Sequence, residues 1–432
     1  MLSEKSAETV RATLPAVGGA LGEITASFYD RLFAAHPALL RDLFNRGNQA
    51  NGDQRQALAG AIAAYAQFLV APDAAPAPGA FLDRIAHKHA SLGVTRDQYQ
   101  IVHTHLFAAI VEVLGEAVTE EVAAAWDEVY WLLANELIGI EGELYAAAGV
   151  TEGDVWRDYR IVERTTEADG VISLLVRPAD GSAPPACRPG QYVSVQVELA
   201  DGARQIRQYS ISAARPEGLR ITVKAVRGAA GAASPGGAAD TAGAPGAAAA
   251  GAGAVCPADG GAPDGEVSTH LHAHARAGDT LRLSLPFGDV SLAADEDGPV
   301  LLVSAGIGCT PLIGMLDHLL VTGSPRQVIA VHGDRTEATH AFRQELDALV
   351  RKLPDATAHV WYEEPAGAWP ADRTGRIDLT AVPLPDPTRT TAYLCGPLPF
   401  LRAARAQLSA LGLPADRIHY EVFGPDLWRG EE

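Results

Sequence analysis

The spacing of apolar residues changes twice along the chain, and this limits the folds open to it more than any single motif does. From Ser3 to about Gly149, Leu, Ile, Val and Phe recur at three- and four-residue intervals in an Ala-rich background, the pattern of amphipathic helices. From Asp158 the segments alternate: Val193, Val195 and Val197 against Tyr192, Ser194 and Gln196, then Leu219, Ile221, Val223 and Leu281, Leu283, Leu285. From Pro299 the runs are apolar throughout (VLLVSAG, VIAVHG, TAHVWY, TAYLCG, IHYEVF), with helical stretches between them such as His340 to Lys352 and Phe400 to Leu411. Short alternating strands split by turn signals suit an antiparallel barrel, and strands apolar on both faces suit a parallel sheet covered by helices. The expected architecture is therefore multidomain: an all-α domain over 1–150, an antiparallel β-barrel domain over 151–296, and an α/β parallel-sheet domain over 297–432.

One segment fits none of these patterns. Residues Ala229 to Pro263 are almost wholly Ala, Gly, Pro and Ser, with Asp240 and Asp259 as the only charges and no aromatic residue. Such a composition buries too little apolar surface to offset its ordering entropy, so a disordered insertion between two barrel strands is expected. Because loop closure costs little more as a loop lengthens, the barrel should tolerate it.

The formal net charge of -19 argues against a nucleic-acid or anionic-membrane partner, since nothing neutralises phosphates in bulk. The N-terminus MLSEKSAETV has no basic stretch followed by an apolar core, and no later run is long and apolar enough to span a bilayer. A soluble, cytoplasmic, monomeric protein acting on small molecules is expected. Cys187, Cys256, Cys309 and Cys395 form no CxxC pair and no zinc or iron-sulfur spacing, so the chain carries no ferredoxin-type acceptor of its own.

Within the helical third, Phe81 to Val94 (FLDRIAHKHASLGV) is the window richest in chemistry. On a helical wheel Leu82, Ile85, Ala86, His89 and Leu92 share one face, and Asp83, Arg84, His87 and Lys88 the other. His89 is expected to point inward and His87 to water. An imidazole on an apolar face is either a hydrogen-bonded core histidine or an axial metal ligand. Tyr29 and Gln54 are likewise single polar groups on otherwise apolar helix faces, and each alone reads as a satisfied core residue.

Taken together, FYDRLF with Tyr29, LFN with Phe44, NQANGDQRQAL with Gln54, RIAHKHASLGV with His89, QYQIV with Tyr99 and IEGELY with Glu141 resemble, in order, the globin domain of the flavohaemoglobins. The resemblance implies haem b held by His89, whose second ring nitrogen is supported by Glu141 and Tyr99. It also implies that Tyr29 and Gln54 hydrogen-bond a gas on the distal side, that Phe44 packs on the macrocycle, and that Lys88 reaches a propionate.

In the middle third, Arg207-Gln208-Tyr209-Ser210, preceded by RPGQY (Arg188 to Tyr192) and followed by Gly265-Glu266-Val267-Ser268, resembles the flavin-binding signature of ferredoxin-reductase-like proteins. This implies FAD, with its phosphate at Arg207 and at the Gly265, Val267 and Ser268 loop, and its ring against Tyr209, Ser210 and Tyr192. In the last third, Gly306-Ile307-Gly308-Cys309-Thr310-Pro311 and Cys395-Gly396-Pro397 resemble the NAD(P)H half of the same module, with Gly306, Gly308, Thr310, Pro311, Cys395, Gly396 and Pro397 at the dinucleotide. By the same resemblance Phe423 lies near the flavin ring.

The order globin, flavin barrel, nicotinamide domain has a chemical logic. Nicotinamide gives two electrons at once, haem iron takes one, and a flavin converts between them. The resemblance implies a nitric oxide dioxygenase that consumes NO and O2 at the expense of NAD(P)H. Two other readings stand beside it: an NAD(P)H-dependent flavin reductase with an external acceptor such as a quinone, ferric complex or hydroperoxide, and a haem-based gas sensor or store.

Overall fold

A computed structural model describes residues 2–50, 52–72, 78–228, 264–293 and 297–424. The insertion expected over 229–263 and Cys256 lie outside the described residues.

The first third is helical: α1 (Glu4–Ala35), α2 (Pro37–Asp42), α3 (Arg46–Ala50), α4 (Asp53–Val70), α5 (Gly79–Leu92), α6 (Arg96–Leu114) and α7 (Glu120–Ala147). The helix ends fall at residues suited to them. His36 closes α1 and Pro37, whose ring cannot continue a helix but suits its first turn, opens α2. α5 stops at Gly93, which adopts φ +76°. A side chain there would meet the Gly153 carbonyl oxygen at 2.9 Å, so this glycine serves both as a left-handed cap and as a close crossing with the segment leading to the barrel. Ile24, Phe28, Leu32, Leu82, Leu106 and Leu137 form one core between these helices.

The second third closes into an antiparallel barrel in the order β1-β2-β5-β4-β3-β6, from β1 (Trp156–Ala168), β2 (Val171–Pro178), β3 (Tyr192–Glu198), β4 (Arg204–Arg215), β5 (Gly218–Lys224) and β6 (Thr280–Ser284). The alternating residues Val193, Val195, Leu219, Ile221, Val223 and Leu283 fill its interior. One element was not anticipated: α8 (Glu266–His274) lies between β5 and β6, so the insertion leads into a helix rather than directly into a strand. The polar side of β3 is also not a water-facing side, because Ser194 is fully buried where the helical domain packs on it.

The last third is a five-stranded parallel sheet, ordered β11-β10-β7-β8-β9, from β7 (Val300–Ala305), β8 (Val328–Asp334), β9 (Ala356–Tyr362), β10 (Thr391–Cys395) and β11 (Ile418–Glu421). The helices α9 (Cys309–Val321), α10 (Arg343–Lys352) and α11 (Leu398–Ala410) cover it. Along β7, Val300 and Leu302 face one apolar layer and Leu301 and Val303 the other, which is why these strands read as unbroken apolar runs. Among the described residues no helix is long and apolar enough to cross a membrane.

Candidate functional site

Two groups of predicted residues meet at α5: Tyr99 and Glu141 at His89 on its inner face, and the strand of Arg207, Tyr209 and Ser210 at Lys88 on its outer face. On its inner face His89 Nδ1 lies 2.8 Å from Glu141 Oε1 on α7 and 3.1 Å from the Tyr99 hydroxyl on α6. Tyr99 in turn donates to Glu141 at 2.5 Å, and Tyr130 donates to the Tyr99 carbonyl at 2.6 Å. Glu141 is 3 % exposed, so this carboxylate is buried with an imidazole and a phenol as its partners. Burial and the adjacent Glu141 charge push the Tyr99 hydroxyl far above the usual phenol range, which keeps it a donor. With Nδ1 so occupied, the other ring nitrogen has no hydrogen bond among the described residues. That is the state a ligating imidazole requires.

Tyr29 is buried on α1, stacked 5.6 Å from Phe33 and edge-on 5.9 Å from Phe44. Burial raises its hydroxyl well above the normal value, with Gln49 and Arg55 pulling the other way. Gln54 is half-buried on α4, and the Gln49 amide also stands near enough to Tyr29 to act on its hydroxyl. Gln49 is 8 % exposed, and among the described residues neither of its amide atoms has a hydrogen-bond partner within bonding geometry. A buried amide left unpaired marks a place for a ligand or water, so a haem with a polar distal ligand fits this donor set. Sequence reasoning passed over Gln49, although it sits in the same NQANGDQ stretch; helical periodicity carries no sign of an orphaned amide.

The outer face of α5 corrects an expectation. His87 is buried, not directed to water: its Nδ1 accepts the Gly288 backbone N–H at 3.0 Å. Burial depresses it to about 4, against the pull of Asp289. Around it, Arg84 pairs with Asp289 at 3.3 Å and donates to the Tyr420 carbonyl at 3.2 Å, with its guanidinium 4.4 Å from the Tyr420 ring centre. Ser194 donates to Ser91 at 2.9 Å. Lys88 donates to the Gln208 side chain, and burial pushes its ammonium down to about 8 against the pull of Glu421. The polar stripe of the helical wheel is thus a docking face for the other two domains.

On the barrel, strand pairing sets Tyr192 opposite Ser210, Val193 opposite Tyr209 and Ser194 opposite Gln208. Tyr209 and Tyr192 have hydroxyls raised well above normal by burial, and Ser210 is buried. Arg207 donates to the Ile206 carbonyl at 2.7 Å and makes no ion pair with a carboxylate among the described residues. Gly265 caps α8 without a side-chain hydrogen bond. A Cβ there would meet Ser268 Oγ and Val226 Cβ at 2.8 Å each, leaving a bare helix start beside an arginine with no acid partner. Val267 is fully buried in the barrel core, so of that expected loop its backbone, not its side chain, faces outward. A flavin phosphate fits this arrangement.

At the sheet, a Cβ on Gly308 would lie 2.2 Å from the Cys395 carbonyl oxygen, and one on Gly396 2.7 Å from Phe400. The ends of β7 and β10 approach there as closely as glycine allows. Gly306 takes φ +55°, and Thr310 donates to the Ile307 carbonyl at 3.0 Å in the first turn of α9 with Pro311 beside it. Pro397 begins α11 at the end of β10. Cys395 is 1 % exposed, and its thiol is raised by burial. Cys309 is a core side chain whose thiol lies near the Ala341 carbonyl. Phe423, at 45 % exposure, stands beyond the end of β11. A dinucleotide crossing the two strand ends fits these glycines.

Residues 26–137 match the globin family, and residues 302–406 match the oxidoreductase NAD-binding domain. A flavohemoprotein of Bordetella pertussis is 41 % identical, covering 98 % of this chain and 99 % of that protein. One of Chromobacterium violaceum is 40 % identical, covering 98 % of each. Among solved structures, flavohemoglobin from Malassezia yamatoensis with bound FAD and heme superposes with a TM-score of 0.81 at 32 % identity, over 98 % of this chain and 100 % of that one. The FAD/NAD-binding domain of a nitric oxide dioxygenase from Vibrio cholerae superposes with a TM-score of 0.51 at 32 % identity, over 62 % of this chain and 99 % of its own. An all-α domain, a closed barrel and a parallel-sheet domain in this order, with relatives of this likeness along the full length, place the chain in the flavohemoprotein family.

Proposed function

We propose that the chain is an NAD(P)H-dependent nitric oxide dioxygenase, taking NO and O2 to nitrate with haem b, FAD and NAD(P)H as cofactors. When bound, the haem supplies an iron that changes by one electron, and the flavin turns a hydride donor into a source of single electrons. The observation that carries the reading is that one helix serves both sites. α5 holds His89 against Glu141 and Tyr99 on one side, and on the other sets Lys88 against Gln208 on β4, the strand that bears Arg207, Tyr209 and Ser210, and Ser91 against Ser194 on the neighbouring β3.

In this reading Glu141 and Tyr99 fix the proton of His89 at Nδ1, so the free nitrogen is aimed and made more electron-donating. Tyr29, which its buried setting keeps protonated, would donate to a bound gas together with Gln54 and Gln49, and Phe44, edge-on to Tyr29, would help hold the haem. Arg207 and the Gly265 to Ser268 turn hold the flavin phosphates; Tyr192, Tyr209, Ser210 and Phe423 lie about its ring. Gly306, Gly308, Thr310, Pro311, Cys395, Gly396 and Pro397 receive the nicotinamide dinucleotide. Lys88, the residue next to His89, faces the barrel and ties α5 to Gln208 on the flavin strand. The protein works as a cytoplasmic monomer on dissolved gases.

The test is NAD(P)H-driven NO consumption in air by protein loaded with haem and FAD. Nitrate formed no faster than with free haem refutes the proposal. Acceptor reduction that survives His89→Ala with nitrate formation intact would assign the work to the reductase alone.

A further inference from the structure

Two carboxylates stand at the bare start of α8: Asp264, whose Oδ1 accepts the Gly228 backbone N–H at 2.6 Å, and the first-turn acid Glu266, whose charge works against a phosphate. The group that answers this charge comes from another domain. Arg46, on α3 of the globin, holds Glu266 through Nη2 at 2.9 Å and Nε at 3.4 Å, and its Nη1 reaches Asp201 in the β3–β4 turn at 2.7 Å. The Gln205 side-chain oxygen accepts from the Arg46 backbone N–H at 3.3 Å and from the Arg207 guanidinium at 3.5 Å, so one amide ties the two arginines to the same spot. The same region is fastened by the Gln205 amide nitrogen, which donates to the Arg41 and Phe44 carbonyls at 3.1 and 3.3 Å, and by Arg204, which reaches Asp42 at 3.4 Å.

We propose that Arg46 is a positioning residue for FAD: by neutralising Glu266 from the globin side, it lets the flavin phosphates occupy the α8 start and makes flavin retention depend on globin docking. Arg46 is the ion-pair partner of both Asp201 and Glu266; without it the incoming phosphates meet two carboxylates that have lost that partner. Because the coupling is reciprocal, bound FAD must hold the globin against the barrel by the same factor that the globin strengthens FAD binding.

The inference rests on the assignment of Arg207 and the Gly265 to Ser268 turn to the flavin phosphates. It is tested by equilibrium titration of FAD into full-length, FAD-stripped, haem-loaded protein, followed by quenching of flavin fluorescence. Arg46→Met should weaken FAD about tenfold, as loss of a half-buried charge pair does. Arg46→Met combined with Glu266→Gln should return to within about threefold of the parent. Glu266→Gln alone should bind at least as tightly as the parent, and this variant decides the matter if Arg46→Met does not fold; weaker binding then overturns the proposal. Arg46→Met within about twofold of the parent, or a double variant no tighter than Arg46→Met, also overturns it. An Arg207→Ala control separates the two claims: FAD bound normally without Arg207 would remove the phosphate assignment itself, and the proposal with it.

Discussion

Acid should loosen the globin from the reductase, and one histidine accounts for a definable share of the effect. His87 is 7 % exposed, receives the Gly288 N–H on Nδ1, and has its pKa lowered from 6.5 to about 4, mainly by burial, with Arg188 adding to the shift and Asp289 opposing it. The folded value lies below the unfolded one, so the stabilising contribution is complete above about pH 6.5 and is lost as pH falls from there through about 4. The full shift corresponds to about 3 kcal/mol, of which about 2 kcal/mol is gone by about pH 5. Protonation must also displace the Gly288 N–H, since a charged imidazole offers no acceptor. His87→Gln supplies an amide oxygen to the same N–H and does not titrate. Urea unfolding followed by Soret absorbance and flavin fluorescence, at about pH 7.5 and 5, should therefore show the variant losing about 2 kcal/mol less than the parent in the earliest transition. Parallel losses, differing by less than about 0.5 kcal/mol, would refute the reasoning.

Other perturbations have equally definite outcomes. Tyr29→Phe should slow the oxygen-dependent reaction by about 2 kcal/mol, about thirtyfold, in stopped-flow NO consumption, while flavin reduction by NADH is untouched. Glu141→Gln should lower the iron–histidine stretching frequency in the ferrous protein, because the acceptor on His89 Nδ1 loses its charge; an unchanged frequency would mean that Glu141 does not tune the imidazole. Gly308→Ala places a methyl group 2.2 Å from the Cys395 carbonyl, so the strand ends must part, and NADH should bind about tenfold more weakly with FAD retained. Ser194→Ala removes the buried acceptor of the Gln208 amide and the donor to Ser91, and should destabilise the globin–barrel contact by about 1–2 kcal/mol in the same urea assay.

The three-part architecture was legible in the amino-acid order because it rests on local rules, whereas the chemistry of each part was implied only by the resemblance to a family. Two- and 3.6-residue periodicities declare strands and helices, runs apolar on both faces declare a covered sheet, and glycines mark where backbone must pass backbone, as Gly308 does at Cys395. His89 was recognisable because its neighbours at helical spacing are apolar. Its partners were not, except by likeness: Glu141 stands 52 positions away, and only the packing of α5 on α7 brings the carboxylate to 2.8 Å. Where wheel logic failed, at His87, it failed because a wheel divides a helix into core and water, and cannot represent a second domain that covers the wet face. Arg84 and Arg46 were missed for the same reason, and Gln49 because periodicity carries no sign of an unpaired amide. What makes each of them matter is a partner from a distant stretch of chain, or the lack of one, and that depends on how complete surfaces meet in three dimensions.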